Sequence, residues 1–368
     1  MSYLKTTVEV LELPITTDLP LIVDDFSLAL HLGIRNKTLW WLIRGTRTPC
    51  GEHGALYAEH SVAKRGRSGR KGKRRPIHVP DERLKRVQRS LDKNVVQKIL
   101  VGDHVAAYEK GRRTADAARR CAGSGILLTM DLKNFFGSIK VSHIRKMLMH
   151  HGYSRQVASL MAQLCCCTDS RGNRFMPQGT PISPSIANRV ADLYFDQEVI
   201  AKAEAKGWQY IRYSDNVYLT HPEVLPRDEV DEFKDDIINT IQRTGWKVHK
   251  IRVAPKWRRQ EVLGLVTNEK ANVKSEEYKK LRAILNNCEK HGFASQVDKA
   301  REKINFKIDN EEALIAHLRG KLSYVCQVLT PSKRQALQDS FKRAVEATDR
   351  KRAAQWAEED KNDSNTYN

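Results

Sequence analysis

The chain carries, in this order, MDLKNFF at residues 130–136, QGTPISPSIAN at 178–188 and YSDN at 213–216. The first segment closes a short apolar run over residues 126–130, which is typical of a buried strand and places Asp131 at its end. The third interrupts an alternating pattern over residues 208–220, which predicts a β-hairpin with Asp215 at its tip. Either aspartate alone is most often a local turn or cap residue. The ordered combination of the three segments, however, is hard to obtain by chance.

Helical patterns surround these segments. Ser183 and Pro184 are expected to open a helix, with the serine as its cap and the proline in its first turn. Asp81 is expected to cap another helix, whose buried stripe is Leu84, Val87, Leu91, Val95 and Ile99. A further amphipathic helix is predicted over residues 226–244, and the chain from about 274 onward is predicted to be all-helical. The pattern as a whole indicates a mixed helix and sheet protein.

The charge of the chain indicates a polyanionic partner. Its 368 residues include 64 lysines and arginines against 44 aspartates and glutamates, which gives a formal net charge of +20. Such an excess favours a nucleic acid or an anionic membrane face as the partner. Basic residues are concentrated between Lys64 and Arg75, where glycines separate them. This run is either a solvated loop or, as we favour in so basic a chain, a hairpin tip that contacts phosphates.

Several protein classes are excluded at this stage. No stretch approaches the roughly 20 apolar residues that a membrane span needs. The first residues show no basic segment followed by an apolar one, so no signal peptide is expected. The seven cysteines include the consecutive Cys165, Cys166 and Cys167, which are expected to pack as small apolar side chains, but no Cys-x2-Cys pair. We therefore expect neither a zinc site nor a disulfide framework, and the reducing cytoplasm is the expected location.

The motifs resemble those of the retron-type reverse transcriptases of bacteria, in the wide group that also holds defence-associated and abortive-infection enzymes. The resemblance extends from about residue 25 to residue 345. Besides the three segments quoted above, the matching blocks are LALHLGI at 28–34, RRPIHVP at 74–80, YEKGRR at 108–113, VLGL at 262–265 and LRGKLSY at 318–324.

The resemblance implies an α+β fold of the right-hand polymerase type, with fingers, an antiparallel-sheet palm and a helical thumb. On this basis residues 1–60 are an N-terminal helical extension, and residues 61–270 hold interleaved fingers and palm. Residues 271–350 are the helical thumb, and residues 351–368 are a tail that we expect to be disordered.

The resemblance also assigns the metal site. Adding a nucleotide requires in-line attack on an α-phosphate, which two divalent ions about 3.5–4 Å apart assist. Mg²⁺ prefers oxygen ligands, so carboxylates are needed, and Mn²⁺ is an alternative ion. The family pattern places these ligands at Asp131, at the Leu132 carbonyl and at Asp215, with Asn216 beside them.

Nucleotide-binding residues follow from the same resemblance. Arg75 and Arg112 would hold the triphosphate, a task suited to guanidinium groups. Phe136 would block a ribose 2′-OH and so favour dNTPs, and Gln178 would lie along the sugar. Each assignment has a plainer alternative: Phe136 as core packing, and either arginine as a surface charge.

The chain departs from the family at two catalytic positions. The hairpin usually reads Tyr-x-Asp-Asp, and Asn216 replaces the second aspartate. Asparagine keeps an oxygen but loses a negative charge, which should weaken the second metal site without abolishing it. Arg252 stands where the family has a lysine that protonates pyrophosphate, with Lys250 two residues away. Because arginine is a poor acid, either Lys250 serves or the acid is absent.

Two further departures concern the retron subgroup. Narrowly defined retron enzymes carry Asn-Ala-x-x-His where this chain has DAARR at 116–120, and Val-Thr-Gly where it has Val262, Leu263 and Gly264. Both leave the polymerase fold intact and leave open a defence-associated relative with another RNA or priming scheme.

The function expected from the resemblance is RNA-directed DNA synthesis by nucleotidyl transfer. The partners would be a dedicated non-coding RNA template, dNTPs, the DNA product and an effector protein, in an antiphage defence system. One alternative is a catalytically impaired RNA-binding scaffold, which Asn216 and Arg252 would favour. Another is an untemplated or RNA-producing nucleotidyltransferase; Phe136 argues against an RNA product, and the sequence carries no signal for or against the use of a template.

Overall fold

The computed structural model describes residues 18–63, 74–303 and 308–365, with side chains described as far as Arg350, except at Lys303. Most of the basic run, residues 64–73, lies outside these residues, as do the first 17. The strands that flank the run pair antiparallel, with Ala63 opposite Arg74. The expected phosphate-contacting tip therefore stays a prediction.

Strands are present in both halves of the chain. In order they are β1 (Tyr57–Ala63), β2 (Arg74–Pro80), β3 (Ile126–Lys133), β4 (Cys167–Thr168), β5 (Arg174–Phe175), β6 (Gln209–Tyr213), β7 (Asn216–His221), β8 (Lys247–Pro255), β9 (Glu261–Val262) and β10 (Leu265–Val266). Four of them form the main sheet in the order β6-β7-β3-β8, and the others pair as β1-β2, β4-β5 and β9-β10. The pairing of β7 with both β3 and β6 is antiparallel.

The helices account for most of the remaining chain. They are α1 (Asp25–His31), α2 (Asn36–Arg47), α3 (Glu82–Asn94), α4 (Thr114–Arg120), α5 (Val141–His150), α6 (Arg155–Leu164), α7 (Ser183–Ala191), α8 (Gln197–Ala205), α9 (Arg227–Arg243), α10 (Ser275–His291), α11 (Val297–Lys303), α12 (Glu311–Cys326) and α13 (Pro331–Asn365). The mixed helix and sheet class expected from the sequence is confirmed.

The chain divides into two compact units, with boundaries at Arg113, Ser124 and Ala254. The first unit contains the chain up to Arg113 together with Gly125–Ala254, and so holds the four-stranded sheet. The second contains Thr114–Ser124 and the chain from Pro255 onward, and it is mostly helical. In the second unit the Tyr324 hydroxyl donates to the Leu263 carbonyl over 2.8 Å, which fixes the turn between β9 and β10 to helix α12.

The first unit is built around β3, which is buried because its apolar run has helices to pack against. Ile126, Leu127 and Leu128 are fully or almost fully enclosed, and helices α5, α6 and α7 contribute to the same core. Asp81 caps α3 as expected, since its side chain accepts a hydrogen bond from the Arg83 amide. All five apolar residues of the predicted stripe are buried, but α3 is shorter than expected: it ends at Asn94, and Val95 and Ile99 lie beyond it around a short 3₁₀ turn.

Two local expectations differ from the structure. Ser183 is the first residue of α7 and not its cap; its hydroxyl donates to the Pro177 carbonyl over 2.8 Å and so closes the preceding loop. The final helix α13 continues to Asn365, through most of the tail for which the sequence favours disorder. That tail is rich in alanine, glutamate and lysine, which form helices readily.

The four-part domain division stays a prediction.

Membrane insertion through a helix has no support in the described residues. None of their helices combines the length and the apolar composition that a membrane span requires.

Candidate active site

The two predicted catalytic aspartates are neighbours because β3 and β7 pair in one register. Asp131 on β3 lies opposite Asn216, the first residue of β7. The Leu132 amide donates to the Asp215 carbonyl over 2.8 Å, which extends the pairing into the turn. Ser214 adopts a left-handed backbone conformation with φ of 58°, which lets the chain reverse within two residues. The structure thus brings together the two aspartates that the family resemblance assigns to one site.

The two aspartates are close enough for the charge of one to act on the other. Burial raises the pKa of Asp215, and the nearby negative charge of Asp131 raises it further. The positive charges of Arg75 and Lys250 act in the opposite direction. The Lys250 ammonium lies 3.2 Å from one Asp131 oxygen, and His249 Nδ1 lies 3.7 Å from the other. Two carboxylates that crowd each other in this way favour binding of a cation.

Asn216 is tied to the neighbouring aspartate. Its side-chain Nδ2 donates a hydrogen bond to Asp215 Oδ1 over 3.0 Å. A carboxylate at this position would lack that donor and would add a third negative charge. The structure thus gives Asn216 an orienting contact, while its predicted role as a metal ligand stays a prediction.

A cavity of about 500 Å³ is lined by side chains from β2, α3, the segment 178–184 and the turn after β3, although neither aspartate lines it. Its walls include three of the predicted nucleotide-binding residues: Arg75, Phe136 and Gln178. Arg75 belongs to both features: its side chain lines the cavity, and its positive charge acts on Asp215. Phe135 turns into the core, where it is 2% exposed, whereas Phe136 packs against that core and also borders the cavity.

The loop that contains Gln178 and Gly179 packs directly against strand β2. The Gln178 carbonyl accepts a hydrogen bond of 2.7 Å from the His78 amide of β2. At Gly179, where φ is 109°, a Cβ atom would lie 2.5 Å from the Ile77 side chain and 3.0 Å from the His78 carbonyl. Only glycine permits this conformation and this close approach, so the loop and β2 together build the cavity wall.

Two predicted nucleotide-binding positions do not line this cavity. Arg112 donates to the carbonyls of Val101, Gly102 and Val105 and pairs with Asp103 at 3.3 Å. It therefore braces its own loop in this structure. Leu132 is buried at 1% exposure, as a β3 core residue. Their predicted contacts with triphosphate and metal stay predictions.

The sequence analysis gave no site role to Lys85 and Tyr108, which also line the cavity. Tyr108 is 53% exposed and has a φ of 61°, an unusual conformation for an aromatic residue. The sequence held a signal for each residue. Lys85 directly follows the predicted core residue Leu84, and Tyr108 begins the YEKGRR block.

A buried ionic network supports the hairpin from behind. Arg212 on β6 is fully enclosed and donates to both oxygens of Asp196, to Asn188 and to the Ser214 carbonyl. His104 contacts Asp192 at 2.7 Å and Asp196 at 3.4 Å. Burial alone would lower the pKa of His104, but the two carboxylates outweigh it and raise the pKa to about 9. This network fixes the turn that carries Asp215.

The network also explains why its carboxylates are poor candidates for the catalytic metal. His104, Asp192 and Asp196 lie close enough together to hold an ion. However, the Arg212 guanidinium already neutralises Asp196, and the coulombic effect of Arg212 holds the pKa of that buried carboxyl far below its usual range against the opposing effect of burial. A metal here would have to displace a fully buried ion pair.

Comparison with known proteins agrees with this geometry. The family model described as "Reverse transcriptase (RNA-dependent DNA polymerase)" matches residues 62–264, more than half of the chain, and its match includes both aspartates and the cavity loop. The chain is similar to the retron Mx65 reverse transcriptase of Myxococcus xanthus, at 29% identity over 73% of this chain and 61% of that protein. The chain is also similar to the retron Ec86 reverse transcriptase of Escherichia coli, at 25% identity over 76% of this chain and 79% of that protein.

A third relative shows the same partial coverage. The retron Mx162 reverse transcriptase of Myxococcus xanthus is 27% identical over 72% of this chain and 58% of its own length. The chain thus spans about three fifths of the two Myxococcus relatives.

Proposed function

The chain belongs to the reverse transcriptase (RNA-dependent DNA polymerase) family, and we propose that it is a retron-type RNA-directed DNA polymerase. Its template would be a dedicated small non-coding RNA and its substrates dNTPs. The observation that carries this proposal is the pairing of Asp131 with the Asp215 turn, together with a cavity lined by Phe136, Gln178 and Arg75, whose charge acts on Asp215.

Asp131 and Asp215 would hold the divalent ions, for which Mg²⁺ is the natural choice and Mn²⁺ the alternative. The fit rests on the donor set: two crowded carboxylates, with the pKa of one raised by burial and then by the charge of the other. Bound ions would stabilise the attacking oxygen and the leaving pyrophosphate.

The cavity residues would position the nucleotide. Arg75 and Lys85 present positive charge to a triphosphate from two different elements, β2 and α3. Phe136 would lie against the sugar and exclude a 2′-OH, and Gln178 would contact the sugar from the loop. Gly179 keeps that loop against β2, so the distance between Arg75 and Gln178 is fixed before the nucleotide binds.

Lys250 is the better candidate for the acid that protonates pyrophosphate. Its ammonium is 70% exposed and lies 3.2 Å from Asp131, whereas the Arg252 carbonyl lies within hydrogen-bond distance of Thr129 on the sheet. A lysine can release a proton at a pH where an arginine cannot. We therefore assign this role to Lys250.

The larger assignments rest on the family. The first unit would contain fingers and palm, and the helical second unit would contain the thumb, with residues 1–60 as an extension. The three relatives named above are retron reverse transcriptases. On that basis we propose a cytoplasmic enzyme of an antiphage defence system, with an effector protein as a further partner.

Primer extension on an RNA template tests the proposal. Asp215→Ala should abolish dNTP incorporation and leave RNA binding nearly unchanged, because the carboxylate serves the metal and not the fold. The matched control is Asp228→Asn, in the exposed first turn of α9. Equal extension by wild type and Asp215→Ala would remove the active-site assignment. Sequencing the nucleic acid that copurifies with the protein would identify the template.

A further inference from the structure

Cys50, His78 and Cys167 form a cluster that the sequence did not suggest. One ligand atom from each residue lies within 4.8 Å of the other two. The three come from separate elements: the turn after α2, strand β2 and strand β4. No Cys-x2-Cys spacing announces them, because the fold and not a local loop brings the side chains together.

The backbone brings the Cys50 turn to β4. The Cys50 amide donates to the Thr168 carbonyl over 3.0 Å, and Pro49 forms an isolated parallel bridge with Thr168. Cys167 is fully buried and faces Phe175 across the β4-β5 pair. Cys50 is only partly buried, so an ion could enter the cluster from its side.

His78 supplies an independent indication that a ligand is missing. Its ring is buried, at 6% exposure, and its Nδ1 atom has no hydrogen-bond partner among the described residues. Its Nε2 atom lies 3.7 Å from the Glu59 carboxylate on the paired strand β1. A buried ring nitrogen without a partner costs free energy, and metal coordination would remove that cost.

We propose that Cys50, His78 and Cys167 bind one Zn²⁺ ion, with water in the fourth position and Glu59 as the carboxylate that orients the imidazole. Two thiolates and an imidazole are the donors that Zn²⁺ prefers, and they differ from the oxygen donors of the aspartate site. In tetrahedral sites with Zn–S bonds near 2.3 Å, ligand atoms lie about 3.5–4 Å apart, so small side-chain rotations suffice here.

The sulfur chemistry agrees with this geometry. Cys167 shares a hydrogen bond with Cys50, which lowers the pKa of the Cys50 thiol below its ordinary value. The same hydrogen bond, together with burial, raises the pKa of Cys167. Binding of Zn²⁺ would release the protons of both thiols.

The ion would join three separate segments of the first unit, and its consequence for the cavity rests on the proposed function. His78 also borders the cavity wall: its amide donates to the Gln178 carbonyl, and its neighbour Ile77 lines the cavity. A bound ion would join the Cys50 turn, β2 and β4, and so hold the wall that contacts the nucleotide. Its removal should raise the KM for dNTPs more than it lowers kcat.

The test is Co²⁺ binding by the full chain, purified with a reductant and stripped of metal. Wild type should bind one ion with thiolate-to-cobalt charge-transfer absorption and tetrahedral visible bands, and Zn²⁺ should displace it. Cys50→Ser and Cys167→Ser should lose the charge-transfer band, and Cys166→Ser, a buried neighbour outside the cluster, should keep it. Glu59→Gln should weaken binding roughly 10-fold.

Two additions keep the test decisive. His78→Cys should retain Zn²⁺, because a thiolate replaces the imidazole, while His78→Ala should lose it even if folded by circular dichroism. Asp215→Ala should bind Co²⁺ like wild type although it should not extend a primer. Wild type that shows the cobalt spectrum but extends no primer would overturn only the proposed function. Absence of the thiolate band in wild type, or a Cys50–Cys167 disulfide with no metal bound after its reduction, would overturn the zinc site.

Discussion

The hydrogen bond from Asn216 to Asp215 gives the unusual hairpin residue a physical purpose. Burial and the charge of Asp131 already raise the pKa of Asp215, so a third carboxylate in the turn would increase repulsion in the absence of metal. The amide instead donates to Asp215 over 3.0 Å and holds that carboxylate in one orientation. In exchange, the turn has one negative charge fewer to face the bound ions.

Asn216→Asp should therefore change stability and metal dependence in opposite directions. Without divalent ions the variant should melt at a lower temperature, because it loses a donor and gains a repulsive charge. With Mg²⁺ its half-maximal extension rate should come at a lower ion concentration than in wild type. Thermal melts with and without Mg²⁺, beside Mg²⁺ and Mn²⁺ titrations of primer extension, measure both effects.

The outcomes of this pair of experiments discriminate between distinct accounts of the site. A decayed site would gain no activity from one restored charge. A change from Mg²⁺ to Mn²⁺ preference would show that asparagine tunes the choice of ion. Unchanged metal dependence in two active forms would show that residue 216 does not face the metal, and its assignment as a ligand would be withdrawn.

Phe136→Ala should admit ribonucleotides. The ring borders the cavity, and its removal would leave room for a 2′-OH. Because Phe136 also packs edge-on against Phe135, with 5.5 Å between ring centroids, a loss of stability of about 1–3 kcal/mol is expected as well. Incorporation of NTPs relative to dNTPs measures the effect, with Phe136→Leu as a control that keeps bulk. Unaltered rejection of NTPs by a folded Phe136→Ala protein would make the ring a core residue only.

Among the elements, the β6-β7 hairpin depends on charges buried behind it. Arg212 and Asp196 are both fully enclosed, and His104 completes the group at 3.4 Å from Asp196. A buried ion pair contributes little net stability, but removal of one partner typically costs about 3–5 kcal/mol. These charges therefore hold the turn in one conformation more than they stabilise the chain.

The pH dependence of stability should report this network through His104. Its folded-state pKa is raised to about 9, whereas an unfolded histidine titrates near 6.5. The contribution of the charged imidazole is thus fully present below about pH 6.5 and is lost as the pH rises through about 9. Between these values wild type should lose on the order of 3 kcal/mol of unfolding free energy that His104→Gln does not lose.

Urea denaturation at the two ends of this pH range measures the difference. The matched control is His53→Gln, an exposed histidine outside the network, which should follow wild type. If His104→Gln and wild type lost stability in parallel, the imidazole would be neutral in the folded protein and the network would rest on Arg212 alone.

Elements with strong local periodicity could be predicted from sequence, and contacts between distant segments could not. The apolar run of β3 and the alternation around Ser214 predicted the strand and the hairpin, and the family resemblance then assigned Asp131 and Asp215 to one site. By contrast, the Cys50 cluster and the His104 network depend on residues far apart in sequence that no spacing rule connects. Arg112 shows a related limit: its motif predicts a triphosphate contact, while its hydrogen bonds go to its own loop.

At the scale of the whole molecule, the distribution of charge matters more than its sum. Many exposed cations of the described residues pair with carboxylates and so are partly neutralised. Examples are Lys202 with Asp236, Lys206 with Glu232, Arg227 with Asp231 and Arg243 with Glu198. The run from Lys64 to Arg75 contains no acidic residue at all. Its cations have no sequence-local partner, which makes phosphates the natural counterions.

RNA binding should therefore be salt-dependent mainly through this run. Each phosphate contact contributes about 0.7–0.9 to the slope of log affinity against log salt concentration. Replacement of Lys64, Arg65, Arg67 and Arg70 by glutamine should reduce that slope by about 3. A control variant with glutamine at the paired cations Lys202, Lys206, Arg227 and Arg243 changes the net charge by the same amount and should alter the slope far less.

Filter binding across a salt series compares the two. Equal slopes in both variants would mean that net charge and not the basic run governs binding, and a flat response in wild type would contradict an electrostatic interface altogether.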